Sequence, residues 1–183
     1  MPEEPFFGLK PYGQIDLDIL EVLVENLRRL FPFDIKILDQ CATPRFAFNN
    51  SRQQYLAKAI LEDLVLNAPA NCRRILGLTE VDLFIPILTY VYGEARLPGP
   101  AAVISLYRLA ESDLRVAVPF EVLTQRVVKE AVHELGHTFN LVHCDDENCV
   151  MSFAHSLNHI DRKSERFCRY CSVLFSDAIA QKI

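Results

Sequence analysis

A chain of 183 residues, half of them hydrophobic, is long enough for one domain with a buried core and too apolar to be disordered. Its net charge of −5 argues against a nucleic-acid surface, because phosphate binding favours clustered lysine and arginine. The first residues, MPEEPFFGLK, lack the apolar run of a secretory signal, and no stretch approaches the roughly 18 apolar residues that span a bilayer. We therefore expect a cytoplasmic protein with no membrane or nucleic-acid partner.

Helical and strand-like patterns alternate through the first part of the chain. Apolar residues at helical spacing predict a helix over Asp16–Leu30, and alternation predicts a strand over Phe33–Ile37. Ser51 and Gln54 form a capping-box pattern, which predicts a second helix over Ser51–Leu66. Short apolar runs predict buried strands at the ranges Ile75–Leu78, Val81–Ile85 and Ala101–Leu109. The alternation indicates a mixed α/β (α+β) fold class.

A third predicted helix, starting at about Pro119, carries the residues of greatest chemical interest. His133 and His137 are four residues apart, so they share a helix face and can bind one zinc ion. Glu134 follows in the same turn, where a general base could accept a proton from zinc-bound water. His143 can reach the same metal only if the chain turns sharply, and Asn140 is a residue that readily enters the left-handed conformation such a turn requires.

The segment HELGHTFNLVH resembles the metzincin zinc-protease pattern H-E-x-x-H-x-x-G-x-x-H, with Asn140 at the glycine position. The continuation HCDDENCVM, with FCRYC further on, is similar to the archaemetzincin family. This resemblance implies a twisted mixed sheet with an active-site helix and a zinc-stabilised C-terminal segment. It also implies that Met151 is the methionine of the metzincin turn beneath the metal. The alternative is a chance HExxH pattern or a histidine buried in the core.

Four cysteines form two closely spaced pairs, Cys144 with Cys149 and Cys168 with Cys171. These spacings predict a closed structural zinc site, and the alternatives are two disulfides or ordinary buried thiols. We expect a single metallopeptidase domain over 1–183, with an α/β subdomain at 1–140 and a C-terminal subdomain at 141–183 that holds this site. Cys41 and Cys72 are isolated, so we interpret them as core residues.

Other polar residues near the motif are interpreted as solvent-exposed. His155 and His159 could contact substrate or metal, but a surface pair is the simpler interpretation. Phe153 occupies the position where some metzincins have an extra tyrosine ligand. We expect the charged runs Asp145–Glu147 and Arg162–Arg166 to be solvated. A last helix is predicted over Cys171–Ile183.

Together these features predict a monomeric zinc metallopeptidase with one catalytic and one structural zinc ion. A peptide substrate could pair with an edge strand of the sheet, for which Ala101–Leu109 is the candidate. The alternatives are a zinc-stabilised peptide-binding module with little or no proteolytic activity and, on the four cysteines alone, a zinc-ribbon nucleic-acid binder. The presence of Glu134 argues against a module without proteolytic activity, and the net charge of −5 argues against a nucleic-acid binder.

Overall fold

The computed structural model describes residues 4–112 and 117–181. In chain order its elements are β1 (Phe6–Tyr12), α1 (Leu17–Leu30), β2 (Asp34–Ile37), β3 (Phe48–Asn49), β4 (Gln54–Leu56), α2 (Ala57–Leu66), β5 (Cys72–Thr79), β6 (Leu83–Phe84), β7 (Gly93–Ala95), β8 (Ala101–Ser105), α3 (Leu106–Leu109), α4 (Phe120–Thr138), α5 (Leu157–Arg162) and α6 (Arg169–Ala180).

The main sheet has the strand order β2-β1-β5-β8-β7. Strands β2, β1, β5 and β8 run parallel, whereas β7 pairs antiparallel to β8 and forms one edge. A small second sheet joins β3, β4 and β6. The predicted mixed α/β class is therefore confirmed.

Helices cover both faces of the main sheet, and the alternation of side chains along its strands divides the core in two. In β5, Leu76 and Leu78 face α1, α4 and the C-terminal segment, while Ile75 packs with α2 on the other face. A strand that is buried on both faces has a continuous apolar sequence, as the Ile75–Leu78 part of β5 and most of β8 do. This arrangement holds α4 against β7 and β8.

Helices α1 and α4 agree with the predictions. Asp16 caps α1 by accepting a hydrogen bond from the Asp18 amide at 3.0 Å, and Phe31 ends it. Helix α4 follows Pro119 and runs to Thr138 with nearly every residue after Thr124 buried. No helix within residues 4–112 and 117–181 is long and apolar enough to cross a membrane.

The start of the second predicted helix was wrong. Gln53 has a φ of 54°, and Gln54 belongs to strand β4 rather than to a capping box. The amide nitrogen of Gln54 donates to Asp82 at 2.9 Å, so this side chain holds a neighbouring loop instead of a helix end. Helix α2 begins only at Ala57.

The predicted strand Ala101–Leu109 is present only as far as Ser105, and its assignment as an edge strand was wrong. Strand β8 ends at Ser105, whose hydroxyl caps α3 by accepting from the Tyr107 amide. All five residues of β8 are buried between β5 and β7, so no substrate can pair with it. The edge strand next to the histidines is β7, which the sequence did not indicate, and β1 was missed as well. The last helix starts at Arg169, and its predicted end at Ile183 lies outside the described residues.

Candidate active site

Helix α4 presents two histidines whose rings converge. The Nε2 atoms of His133 and His137 are 3.1 Å apart. Each Nδ1 faces a backbone carbonyl, that of Val150 at 2.8 Å for His133 and that of Leu141 at 2.7 Å for His137. Because a carbonyl can only accept, Nδ1 carries the proton and Nε2 is left with its lone pair. Both rings are thereby fixed in the tautomer that binds a metal.

The third histidine approaches through a sharp turn after α4. Asn140 has a φ of 66°, in the left-handed region, and its amide donates to the His137 carbonyl at 2.9 Å. The Leu141 amide then donates back to the Gly136 carbonyl at 3.2 Å. This turn brings the His143 ring within 5.3 Å of the His133 ring and 4.9 Å of the His137 ring, measured between centroids. One nitrogen from each of the three lies within 4.8 Å of the others.

The environment of these histidines favours their neutral form. Burial is the largest cause that lowers the pKa of His133, His137 and His143, and the pKa of His137 falls to about 4. The nearby cation of Lys163 adds to the effect at all three. Only a neutral imidazole offers a lone pair to a metal, so the lowered pKa values leave these three rings in the form that a metal site requires.

Glu134 is buried beside the histidines and contacts a second carboxyl group. A hydrogen bond joins the side chains of Glu130 and Glu134, which lie one helical turn apart. Burial raises the pKa of Glu134, and Glu130 and Glu94 raise it further. Gly93 of β7 gives Glu134 its space, because a Cβ at that position would lie 2.7 Å from Cγ of Glu134.

Lys163 holds the loop beneath the histidines. Its ammonium group donates to the carbonyls of Val150 at 2.9 Å and Ser152 at 3.2 Å, on either side of Met151. The expectation that Arg162–Arg166 is solvated was therefore wrong for this residue, which is 3% exposed. The Val150 carbonyl also accepts a hydrogen bond from Nδ1 of His133, so this one carbonyl oxygen links the lysine to the histidine.

Met151 packs directly against α4 at a glycine. It is fully buried, and a Cβ on Gly136 would lie 2.5 Å from its sulfur atom. The Met151 carbonyl accepts from the Cys144 amide at 3.0 Å, which ties this loop to the residue after His143. The contact shows why α4 carries a glycine in its last full turn.

A cleft of about 510 Å³ opens over the histidines. Its walls include the edge strand β7 and the segment after Met151, and its lining includes Tyr90, Tyr92, Glu94, Phe153, His155 and Lys163. Phe153 packs on His143 with a ring distance of 4.9 Å. His155 and His159 are exposed, as predicted, and lie 5.7 Å apart between ring centroids.

The four paired cysteines form a second cluster. Their sulfur atoms all lie within 4.8 Å of one another, and Cys144 and Cys168 are 3.8 Å apart. A disulfide needs about 2.05 Å, so the sulfurs are arranged as thiols around a common centre. The amide of Cys171 at the start of α6 donates a hydrogen bond to the sulfur of Cys168. This hydrogen bond is the largest contribution that lowers the pKa of the Cys168 thiol. Cys41 and Cys72 lie half-buried elsewhere, against the α2 face of the core.

Several residues of the site were not identified in the sequence, among them Glu94, Glu130 and Lys163. Glu130 stands four residues before Glu134, and helical spacing could have indicated it. Lys163 lies in a run of charged residues, where no local pattern distinguishes a buried lysine from solvated ones.

The fold and this arrangement of histidines, glutamate and methionine loop define a zinc metallopeptidase of the metzincin class. A model of the family described as Peptidase family M54 matches residues 13–176. The chain is 50% identical over 131 residues to the archaemetzincin of Methanopyrus kandleri, covering 72% of this chain and 71% of that one. It is 37% identical over 163 residues to the archaemetzincin of Methanocaldococcus jannaschii, covering 89% and 88%.

Solved structures agree with the sequence relatives. The crystal structure of the Methanopyrus kandleri archaemetzincin superposes with a TM-score of 0.82 at 39% identity, over 98% of each chain. The chain belongs to Peptidase family M54, the archaemetzincins. It is a zinc-dependent peptidase, and its substrates are peptides.

Proposed function

We propose that this enzyme cleaves peptide bonds with Glu134 as general base and with His133, His137 and His143 as the ligands of one catalytic zinc ion. The observation that supports the assignment best is the convergence of three imidazole nitrogens within 4.8 Å, next to a buried carboxyl group. Three protein ligands leave a coordination position open, as catalytic zinc sites do and structural sites do not.

The donor set suits zinc. Neutral imidazoles are preferred zinc ligands, and carbonyls already hold Nδ1 of His133 and His137. When bound, the metal would supply Lewis acidity to polarise a carbonyl and to acidify a water molecule.

Glu134 would take a proton from the attacking water and return it to the leaving amine. To do so it must be ionised, although burial raises its pKa. Two hydrogen-bonded carboxyl groups share one proton more readily than they carry two negative charges. The contact between the two side chains raises the pKa of Glu134 and lowers that of Glu130, so in the metal-free protein the shared proton belongs to Glu134. A cation bound at the three histidines would favour the ionised form of Glu134 and with it the transfer of this proton to Glu130. The cation of Lys163 lowers the pKa of both glutamates and supports the ionised form of the pair.

Lys163 would also act as a positioning residue. By holding the carbonyls before and after Met151, it fixes the Val150 oxygen that orients His133. An extended substrate peptide would lie along β7, because this strand has a free edge and its Gly93 is next to Glu134.

A second zinc ion is proposed for Cys144, Cys149, Cys168 and Cys171. Four thiolates would close its coordination sphere, so its role would be structural. The segment after α4 needs such support because its described part, residues 139–181, contains only the two helices α5 and α6. Its buried residues, among them Val150, nevertheless join the same core cluster as α1 and α4, which supports a single domain.

The decisive experiment compares Glu134→Gln with wild type in peptide hydrolysis and zinc content. We expect the variant to lose activity at least 10²-fold while keeping two zinc ions per chain, because Gln cannot accept the proton. Glu121→Gln is the matched control, since Glu121 is exposed near the start of the same helix. His137→Ala should retain one zinc ion. Full activity in Glu134→Gln would exclude the proposed base, and a wild type that saturates at one zinc ion would exclude the second metal.

A further inference from the structure

A second, smaller cavity lies away from the histidines. It has a volume of about 190 Å³ and is lined by Pro5, Phe7, Phe33, Arg73, Arg74, Phe139 and Ile179. These residues lie at or next to the beginnings of β1, β2 and β5 and the ends of α4 and α6. None of them takes part in the proposed catalysis.

Aromatic rings form much of its wall. The rings of Phe7 and Phe33 stack at 4.4 Å with an angle of 21° between planes, and Phe33 lies 6.3 Å from Phe139 at 19°. The guanidinium carbon of Arg74 lies 4.3 Å from the centroid of Phe139. A charged group therefore lies against a flat apolar surface that also lines the cavity.

The guanidinium of Arg74 lacks the partners that a buried cation normally has. The side chain is 8% exposed, and one terminal nitrogen donates to the Arg73 carbonyl at 2.8 Å. Its Nε is buried without a hydrogen-bond partner. Among the residues that the structure describes, Arg74 forms no salt bridge with a carboxylate. Burial, followed by the charge of Arg73, lowers the pKa of Arg74.

Water does not account well for this cavity. One ordered water could satisfy Nε, but 190 Å³ is far more space than one water requires. Further waters would face phenylalanine rings and the Ile179 side chain, which offer no hydrogen bonds. The cavity thus combines the buried, unsatisfied Nε of Arg74 with a largely apolar interior, and the exposed Arg73 also lies on its wall.

We propose that this cavity binds a small organic carboxylate with an apolar body. The carboxylate would pair with the free Nε edge of Arg74, since the guanidinium fork matches two carboxylate oxygens. The apolar body would pack against Phe7, Phe33 and Ile179. Inorganic phosphate fits less well, because three apolar rings would desolvate its remaining oxygens without donating to them.

Such a ligand would contact the end of the catalytic helix. Phe139 is the residue that caps α4, and Asn140 follows it with the left-handed turn toward His143. Binding at Arg74 would therefore stabilise the segment that joins two of the three histidines.

Calorimetric titration of the zinc-loaded enzyme with benzoate tests the proposal. Arg74→Met keeps an apolar side chain against Phe139 but removes the charge, and we expect it to weaken benzoate binding at this site at least tenfold. Arg45→Met is the control, because Arg45 is exposed and distant in the chain, and it should bind benzoate as wild type does. Inorganic phosphate at the same concentration should show no binding that depends on Arg74.

A crystal of the wild-type enzyme soaked in 4-bromobenzoate provides a test that needs no variant. Carboxylates can also bind catalytic zinc, and the anomalous signal of bromine separates the two locations. We expect a bromine peak between Phe33 and Ile179. Bromine only at the histidines, or equal benzoate affinity in wild type and Arg74→Met, would overturn the proposal.

Discussion

The turn at Asn140 allows a sharp test of how backbone conformation controls the metal site. Asn140 is exposed and has a φ of 66°, so replacing its side chain disturbs the backbone preference and little packing. For valine, the left-handed conformation costs on the order of 1–2 kcal/mol, whereas glycine enters it freely. Asn140→Val should relieve this strain by distorting the turn.

A distorted turn would affect two of the three histidines. The carbonyl of Leu141, one residue later, accepts from Nδ1 of His137 at 2.7 Å, and His143 lies two residues beyond. In Asn140→Val, zinc binding would have to restore the turn, and the strain energy of the left-handed valine would be subtracted from the binding free energy. A cost of about 1–2 kcal/mol corresponds to a roughly 5–30-fold higher dissociation constant for zinc.

The assay is a competition titration with a chromophoric chelator on Asn140→Val, Asn140→Gly and wild type. Asn140→Gly should match wild type within about twofold, because glycine adopts the same φ without strain. Urea denaturation of the metal-free proteins would report any strain that remains in the fold without metal. If Asn140→Val binds zinc as tightly as Asn140→Gly, the turn does not control the site and the reasoning fails.

Three further predictions concern the same region. Cys144→Ser should lower zinc occupancy at both sites, because the cysteine is adjacent to His143. His143→Ala should empty only the histidine site. Full occupancy of the histidine site in Cys144→Ser would refute this coupling. Gly93→Ala should reduce kcat by roughly 10²-fold with zinc retained, because the new Cβ displaces Glu134, and an unchanged kcat would contradict this contact. In the metal-free enzyme, the lowered pKa of His137 adds stability that is present above about pH 6.5 and disappears as the pH falls toward 4. The full shift from 6.5 to about 4 corresponds to about 3 kcal/mol, and about 2 kcal/mol of it separates the stability at pH 8 from that at pH 5, which urea denaturation would measure.

The candidate site could be predicted further than the fold because its information is local. His133, Glu134 and His137 occupy one helical turn, and Asn140 and His143 follow within six residues. Fixed helical geometry converts this spacing into a three-dimensional arrangement without knowledge of the rest of the chain. Lys163 could not be predicted in the same way, because only tertiary packing places its ammonium group against Val150 and Ser152.

The strands show the opposite behaviour. The segment Phe6–Tyr12 contains Lys10 and Pro11 and follows an acidic, proline-containing start, so it lacks the pattern of a central strand, yet β1 lies between β2 and β5. Strand β7 has only three residues, too few for any periodicity. Its position depends on β8, which pairs with it in antiparallel register. Strand pairing is a long-range property, and short apolar or mixed segments do not encode it individually.

The contact between Gly136 and Met151 also has a consequence for protein engineering. Replacing a glycine inside a helix with alanine is a common route to thermostability, with a gain of about 1 kcal/mol from helix propensity. In α4 the added methyl group would lie 2.5 Å from the Met151 sulfur and 3.3 Å from the Phe167 ring. The methionine is fully buried, and the neighbouring Val150 carbonyl holds His133, so we expect repacking of this side chain to disturb the histidine. A consensus or propensity-based redesign that treats this glycine as a weak point would therefore trade metal binding for helix stability.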